Sequence, residues 1–271
     1  MAIFDMKKAT VKLCDGRKAA LTTTAGAGVN AQLTLTDKST HRGTRGPVSI
    51  TIVVAGNNTA LSVSVAANGY DITVNSATDG GGSATTTASQ AKTAIEANGT
   101  ANALVTVTLP GNGTGVISAQ AKTNLTTGPR TLTLKINEGT MSYSEKKNRK
   151  YTRNNGILDT VMNGDDEPVD VKFDCIWDFV KASTGSGTPT PEDVMKQRGE
   201  ASAWVTSDAD PCQPYCIDIE VKFAPNCSPT ENEFIVLKSF RYESFDRSFK
   251  DGNFSVSGKC NFTEAEVERA A

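Results

Sequence analysis

The chain has 271 residues, 38% hydrophobic and 21% charged, with a net charge of −2 and a pI near 5.6. That is enough apolar content for a core in one large domain or two ordinary ones, and it excludes a disordered chain and the basic footprint of a nucleic-acid binder. No stretch approaches the roughly 20 apolar residues of a membrane helix, and MAIFDMKKATVKL at the N-terminus carries no apolar run of signal-peptide type, so the expectation is a soluble protein made in a cytoplasm.

The first strand signal is Ala9 to Cys14, after which the chain changes character. Between Asn30 and Gly128 only nine residues are charged, cysteine is absent and Tyr70 is the sole aromatic. The runs SITIVV, ALSVSV, DITVNSA and LVTVTL read as short strands separated by turn residues such as Asn68-Gly69. One helix is expected over Thr87 to Ala97, capped by Thr87, with Ala88, Ala91 and Ile95 on one face. This segment, residues 30–128, is therefore predicted to be a small β-rich accessory domain inserted into a host domain formed by residues 1–29 and 129–271. The Gly111 to Gly115 run lacks the lysine of a phosphate loop and reads as a turn.

Beyond the insert, Arg130 to Asn137 alternates Leu132, Leu134 and Ile136 with polar residues, and it is expected to pair with Ala9 to Cys14 across the insertion point. The basic cluster Lys146, Lys147, Arg149, Lys150 and Arg153 reads either as a solvated hairpin or as an inter-subunit contact. In the second case it would dock on the acidic turn Asp165, Asp166 and Glu167 of a neighbouring copy.

Val169 to Phe179 and Tyr215 to Phe223 alternate apolar and polar residues, with Ile176 the one lapse. Period-two alternation describes half-buried antiparallel strands. Their polar sides collect Asp170, Asp174, Asp178, Asp218 and Glu220 against Lys172 and Lys222, which predicts an acidic wet face. Between them, Thr190-Pro191-Glu192-Asp193 starts a helix running to Arg198, with Gly199 as its stop. Phe234 to Leu237, Phe240 to Phe245 and Asn253 to Phe262 complete a mainly β host with one helix, an antiparallel β-sandwich or barrel-like α+β layout.

No catalytic constellation emerges. His41 is the only histidine and sits in a Thr/Arg/Gly-rich turn. The spacing of Cys212, Cys216 and Cys227 matches no usual zinc pattern, and Cys175 falls on an apolar strand face, so no cofactor or metal is expected. A carboxylate pair, Asp174 with Asp218, is the one conceivable hydrolytic arrangement, and strand-face acids without a pocket argue against it.

The wording of NEGTMSYSEKKNRKY, GILDTVMNGDDEPVDVKFDCIWDF, TPEDVMKQRGEASAWVTSDADPC and VSGKCNFTEAEV resembles the major tail protein, or tail-tube protein, of siphovirus-type long-tailed bacteriophages. The insert is similar to a β-rich module of phage virion proteins. The resemblance implies a non-enzymatic structural subunit of the virion tail, assembled in the host cytoplasm into stacked, hexameric rings. Phage DNA would transit the tube without specific binding. Its partners would be further copies of itself and the tape-measure, tail-tip initiator and tail-terminator proteins. Asp170, Asp174, Asp178, Asp218 and Glu220 would then be candidates for the lumen wall, the alternative being an ordinary solvated sandwich face. A non-catalytic, adhesin-like virion surface protein is the competing reading.

Overall fold

The structure is a computed structural model describing residues 9–24, 28–40, 46–155, 157–176, 189–208, 210, 212–223, 233–248, 250 and 252–269. It is mainly β, and it divides into a host unit, Met1–Gly16 with Arg130–Ala271, and an inserted unit, Arg17–Pro129. His41, Trp177, Asp178, Phe179 and Cys227 lie outside the described residues.

The host opens with β1 (Thr10–Cys14). The insert follows with β2 (Ala20–Thr22), β3 (Thr34–Asp37), β4 (Ser49–Val53), β5 (Ser62–Val65), β6 (Asp71–Asn75), α1 (Ala88–Ala97), α2 (Gly99–Leu104), β7 (Val105–Thr108) and β8 (Gln120–Asn124). These make two sheets, ordered β2-β3-β7 and β5-β6-β4-β8. All four strand runs expected in the insert form, and α1 has the expected Thr87 cap, in a full capping box, and buries Ala88, Ala91 and Ile95. The insert nevertheless begins at Arg17 and not at Asn30, because Ala19 and Leu21 pack in its core beside Leu33 and Leu35. A second helix also forms. Asn98 ends α1 and starts α2, accepting from the Ala101 N–H at 3.0 Å while its own Nδ2 donates to the Val63 carbonyl of edge strand β5 at 2.9 Å. One short side chain thus serves two helix ends and a strand edge. β4 and β6 pair in parallel, and their Ile50, Ile52, Ile72 and Val74 fill the core. Asp71 fastens this pair: it accepts from Ser49 Oγ, Asn68 Nδ2 and Lys122 Nζ, on β4, the preceding turn and β8.

The host resumes with β9 (Thr131–Leu134), β10 (Ile136–Ser144), β11 (Lys147–Asn154), β12 (Ile157–Asp166), β13 (Asp170–Ile176), α3 (Pro191–Lys196), β14 (Ile217–Phe223), β15 (Glu233–Ser248), β16 (Asn253–Cys260) and β17 (Glu266–Arg269). β1 and β9 pair antiparallel, Val11 opposite Leu134 and Leu13 opposite Leu132, as the alternation predicts. The sheet order is β10-β13-β16-β15-β14-β1-β9, with β17 on the free side of the first half of β15. Only Lys135 separates β9 from β10, and its carbonyl accepts from the Ile176 N–H at 3.0 Å, so the ladder closes on itself as a flattened barrel.

The two predicted strands over Phe234 to Phe245 are one 16-residue strand. Its first half lies between β14 and β17, and its second half pairs with β16. Bulges allow that bend. One centres on Ser239, whose φ of 52° is a left-handed conformation, and the other leaves Glu243 unopposed between Tyr242 and Ser244. At the second bulge Gly258 is obligatory, since a Cβ there would lie 2.1 Å from the Arg241 carbonyl oxygen.

Leu13, Phe173, Phe240, Ile217, Ile219 and Val256 fill the barrel, with the Phe173 and Phe240 rings 6.0 Å apart. Each such side chain contributes about 1.5–3 kcal/mol by leaving water. α3 covers this core with Val194 and Met195, and Trp204 follows it into the same cluster. The helix starts as expected at Thr190 and Pro191, with a Thr190–Asp193 capping box. It stops at Lys196, two residues short of Arg198, because Gln197 takes a left-handed conformation and donates to the Trp204 carbonyl at 2.8 Å.

Candidate assembly surface

β11 and β12 form a two-stranded ribbon separate from the barrel sheet. Every residue of β11 is exposed, as is every residue of β12 except Gly164. Directly opposed residues on an antiparallel pair share a face. One face therefore carries Arg149, Tyr151 and Arg153 beside Asn163, Val161 and Leu158. The other carries Lys150, Thr152 and Asn154 beside Met162, Thr160 and Ile157. Tyr151 is 61% exposed and Ile157 74%, with Leu158, Val161 and Met162 about half exposed. Lys150 and Arg153 meet no carboxylate among the described residues.

The base of the ribbon is tied to the barrel. Lys146 pairs with Asp170, Lys147 with Glu264, and Glu145 accepts from the Ala265 N–H at 2.7 Å. The Lys146 ammonium holds the Asp170 carboxyl below the ordinary carboxylate range, and Lys147 does the same for Glu264. These acids are ionised at neutral pH.

Two sequence expectations change here. Asp165 and Asp166 lie on β12, not in a turn, and Asp166 is opposite Lys147 in the same hairpin. Asp165, Asp166 and Glu167 line, with Lys146, Lys147 and Arg149, a hollow at the base of this one ribbon. The basic and acidic clusters thus meet within one chain, which a reading of them as partners on two copies did not foresee.

The acidic wet face is the second correction. On β13, Val171, Phe173 and Cys175 are buried, while Asp170, Lys172 and Asp174 point outward with the exposed Ile176, as the alternation predicts. Asp170 lies opposite Lys259, and Asp174 accepts from Ser255 Oγ. Neighbouring strands fill this face with Ser142, Ser144, Ser255 and Ser257, so it is a serine-rich polar surface in which cations offset the acids. On β14 the polar side is not wet. Asp218 is 2% exposed and accepts from the Ser239 N–H at 2.7 Å, the group that the first bulge removes from the ladder. Glu220 is half-buried, opposite Lys12, and takes a hydrogen bond from the Cys14 thiol. Cys14 and Val236, on the same side, are buried. Asp218 is a structural acid, excluded from any channel wall, and Asp178 is outside the described residues.

Asp174 accepts from Ser255 Oγ on β16, whereas the buried Asp218 accepts from the Ser239 N–H on β15, so the two carboxylates are held by different strands. Burial pushes the Cys14 thiol far up, and burial beside Asp174 and Asp218 respectively takes Cys175 and Cys260 to about 12, so these thiols are protonated packing groups. Among the described residues no group of His, Cys, Asp and Glu is arranged to hold a metal ion, and no helix is long and apolar enough to cross a membrane.

The apolar residues of β12 were the functional candidates that pattern reading missed. Ile157, Leu158, Val161 and Met162 fall on both faces of a strand, so they carry no period-two signal. The available clue is that ILDTVM is apolar on both sides yet bounded by Asn155-Gly156 and Asn163-Gly164. Compared with models of protein families, with curated proteins and with solved structures, the chain matches none of them.

Proposed function

We propose that this chain is a structural subunit that polymerises, as stacked hexameric rings, into the tail tube of a long-tailed bacteriophage, with the β11–β12 ribbon reaching a neighbouring copy. The observation that supports the reading is the ribbon itself. A lone two-stranded ribbon is marginal in water, and this one carries Tyr151, Ile157, Leu158, Val161 and Met162 without a core to bury them. Clustered exposed apolar side chains mark a protein–protein surface. Lys150 and Arg153 add cations for acids of another copy, fixing register more than strength. The serine-rich outer face of β13 and β16 is the candidate for a channel wall, weakly adhesive to DNA because it presents no cationic surplus. The insert would be an accessory module on the outside of the tube.

The test is negative-stain electron microscopy with light scattering over a concentration series, on the native chain and on a Tyr151→Ser, Leu158→Ser, Val161→Ser variant. Rings or tubes from the native chain, and monomers with unchanged unfolding from the variant, are expected. Tubes from the variant would remove the ribbon from the assembly surface, and a native chain that stays monomeric even with pre-formed rings as seeds would overturn the reading.

A further inference from the structure

β15 is paired unequally along its first half. On one side runs β14, which sinks Ile217, Ile219 and Val221 into the barrel core. On the other lies β17, four residues long, every one of them exposed, and none of them part of the core cluster. β17 keeps its place by a short backbone ladder, residues 266–269 opposite residues 233–236, and by the ion pairs Lys238–Glu266 and Glu233–Arg269. Lys238 and Glu266 are 37% and 49% exposed and Arg269 77%, so water screens both pairs and each holds weakly. Without β17, a strand whose Ile235 and Val236 are buried would carry a row of unpaired backbone groups, the kind of edge that takes up another strand. The connection to β17 is tied at two places. The Phe262 carbonyl accepts from the Val169 N–H at 2.9 Å, and beyond it residues 263–265 are fastened to the base of the β11–β12 ribbon by Lys147–Glu264 and by Glu145 on the Ala265 N–H.

We propose that β17 is an exchangeable strand, which leaves the β15 of its own chain and seats on the β15 of a second copy. The occupant of the vacated edge is a second copy because that copy presents the matching register. It offers Lys238 to Glu266, Glu233 to Arg269 and Ile235 opposite Val267, so every contact that β17 gives up is made again. Departure is a local opening that breaks no core packing, since no β17 side chain lies in the core. Opening also requires the Glu264 and Ala265 ties to let go, and both reach the ribbon base. A neighbour that draws on the ribbon therefore loosens the hinge of β17 as well. When each copy lends its β17 to the next, the contact is heterologous and closes into rings where the rotation allows it. The proposal rests on β17 and its register and does not depend on what the assembled protein is for.

The test uses two single-cysteine variants, Glu233→Cys and Arg269→Cys, mixed at high concentration and then oxidised. Opposed residues of an antiparallel pair lie roughly 4.5–5.5 Å apart at Cα, within reach of a disulfide. Neither variant can join positions 233 and 269 within one chain, so a bond between them records exchange. A mixture of Glu233→Cys with Glu243→Cys measures chance collision, since Glu243 is also exposed and is not opposite Glu233. Peptide mass spectrometry should find the 233–269 linkage several-fold above the 233–243 linkage, and equal yields would overturn the proposal. The double variant Glu233→Cys, Arg269→Cys should close within its own chain and, once closed, stop exchanging until it is reduced. In the parent, the backbone amides that β15 shares with β17 should exchange with deuterium several-fold ahead of those it shares with β14; equal protection would refute the local opening. Tubes that form without the 233–269 linkage would overturn this proposal and leave the assembly reading standing, and linkage without tubes would do the reverse.

Discussion

Replacing Asp218 by alanine should destabilise the host unit by about 1–3 kcal/mol, the range expected when a buried N–H loses its acceptor and is left unsatisfied. The group at risk is the Ser239 N–H, which lies at a bulge, has no ladder partner, and reaches Asp218 Oδ1 at 2.7 Å. Asp218→Asn keeps an acceptor of the same shape and should lose less than the alanine variant, about 1 kcal/mol or under. Ser239→Gly should move the other way by up to about 1 kcal/mol, since φ of 52° is strained for serine and free for glycine. The assay is urea unfolding followed by tryptophan fluorescence. Both tryptophans of the chain fall in the host unit, so the signal reports that unit without contribution from the insert. An alanine variant with an unchanged midpoint and slope would refute the reasoning and return Asp218 to the class of dispensable surface acids.

Three further outcomes can be measured. In the insert, hydrogen bonds from Lys122 first, and from Ser49 and Asn68, lower the Asp71 pKa from its ordinary 3.8, so the unfolded state binds the proton more readily. That stabilisation is present above about pH 4 and is lost as pH falls through the lowered value. Hydrogen-exchange protection across β4 and β6, taken relative to the intrinsic rate at each pH, should therefore fall on acidification below about pH 4, and Asp71→Asn should flatten the dependence; an unchanged acid profile in that variant would contradict it. Gly258→Ala sets a methyl group 2.1 Å from the Arg241 carbonyl oxygen and should lower host stability by roughly 1–3 kcal/mol, read by the same tryptophan signal. Excising residues 17–129 with a short Gly/Ser bridge should leave the host unfolding as in the parent, because the Asp15 N–H donates to the Arg130 carbonyl at 3.1 Å and the Arg130 N–H to Asp15 Oδ1 at 2.8 Å. Excising 30–128 should instead give an aggregating product that exposes Ala19 and Leu21, and equal solubility of the two would disprove the boundary.

Elements with a strong local rule were legible in the sequence. Val11 and Leu13 against Leu132 and Leu134 carry period two on both partners, so their pairing across the insert could be read without knowing what lay between. Thr87 and Thr190 each combine a capping side chain with a reciprocating residue three positions on. The role of Asp218 was not legible, because its partner is a backbone N–H exposed by a bulge on another strand, 21 residues away in sequence. The start of the insert was hidden for a different reason. β2 is three residues long and follows Arg17 and Lys18, whose charges resemble the host's composition. The ribbon escaped pattern reading because neither of its faces is buried, so hydrophobic periodicity had nothing to report.

The insertion point also bears on the order in which the chain acquires structure. Pairing β1 with β9 requires closing a loop on the order of a hundred residues, an entropic charge against the barrel while that stretch is unfolded. Within the insert, Ala20 and Thr126 exchange backbone hydrogen bonds at 2.8 and 3.1 Å, holding its two ends side by side. Once the insert has folded, the effective loop between β1 and β9 shrinks to about ten residues, a saving of about 2 kcal/mol on the logarithmic scale of loop closure. The insert precedes most of the host during synthesis, so it can complete its own two sheets first and deliver β9 to β1 ready for pairing. A module that looks like an interruption of the barrel thereby acts as an internal folding chaperone for the seam it interrupts.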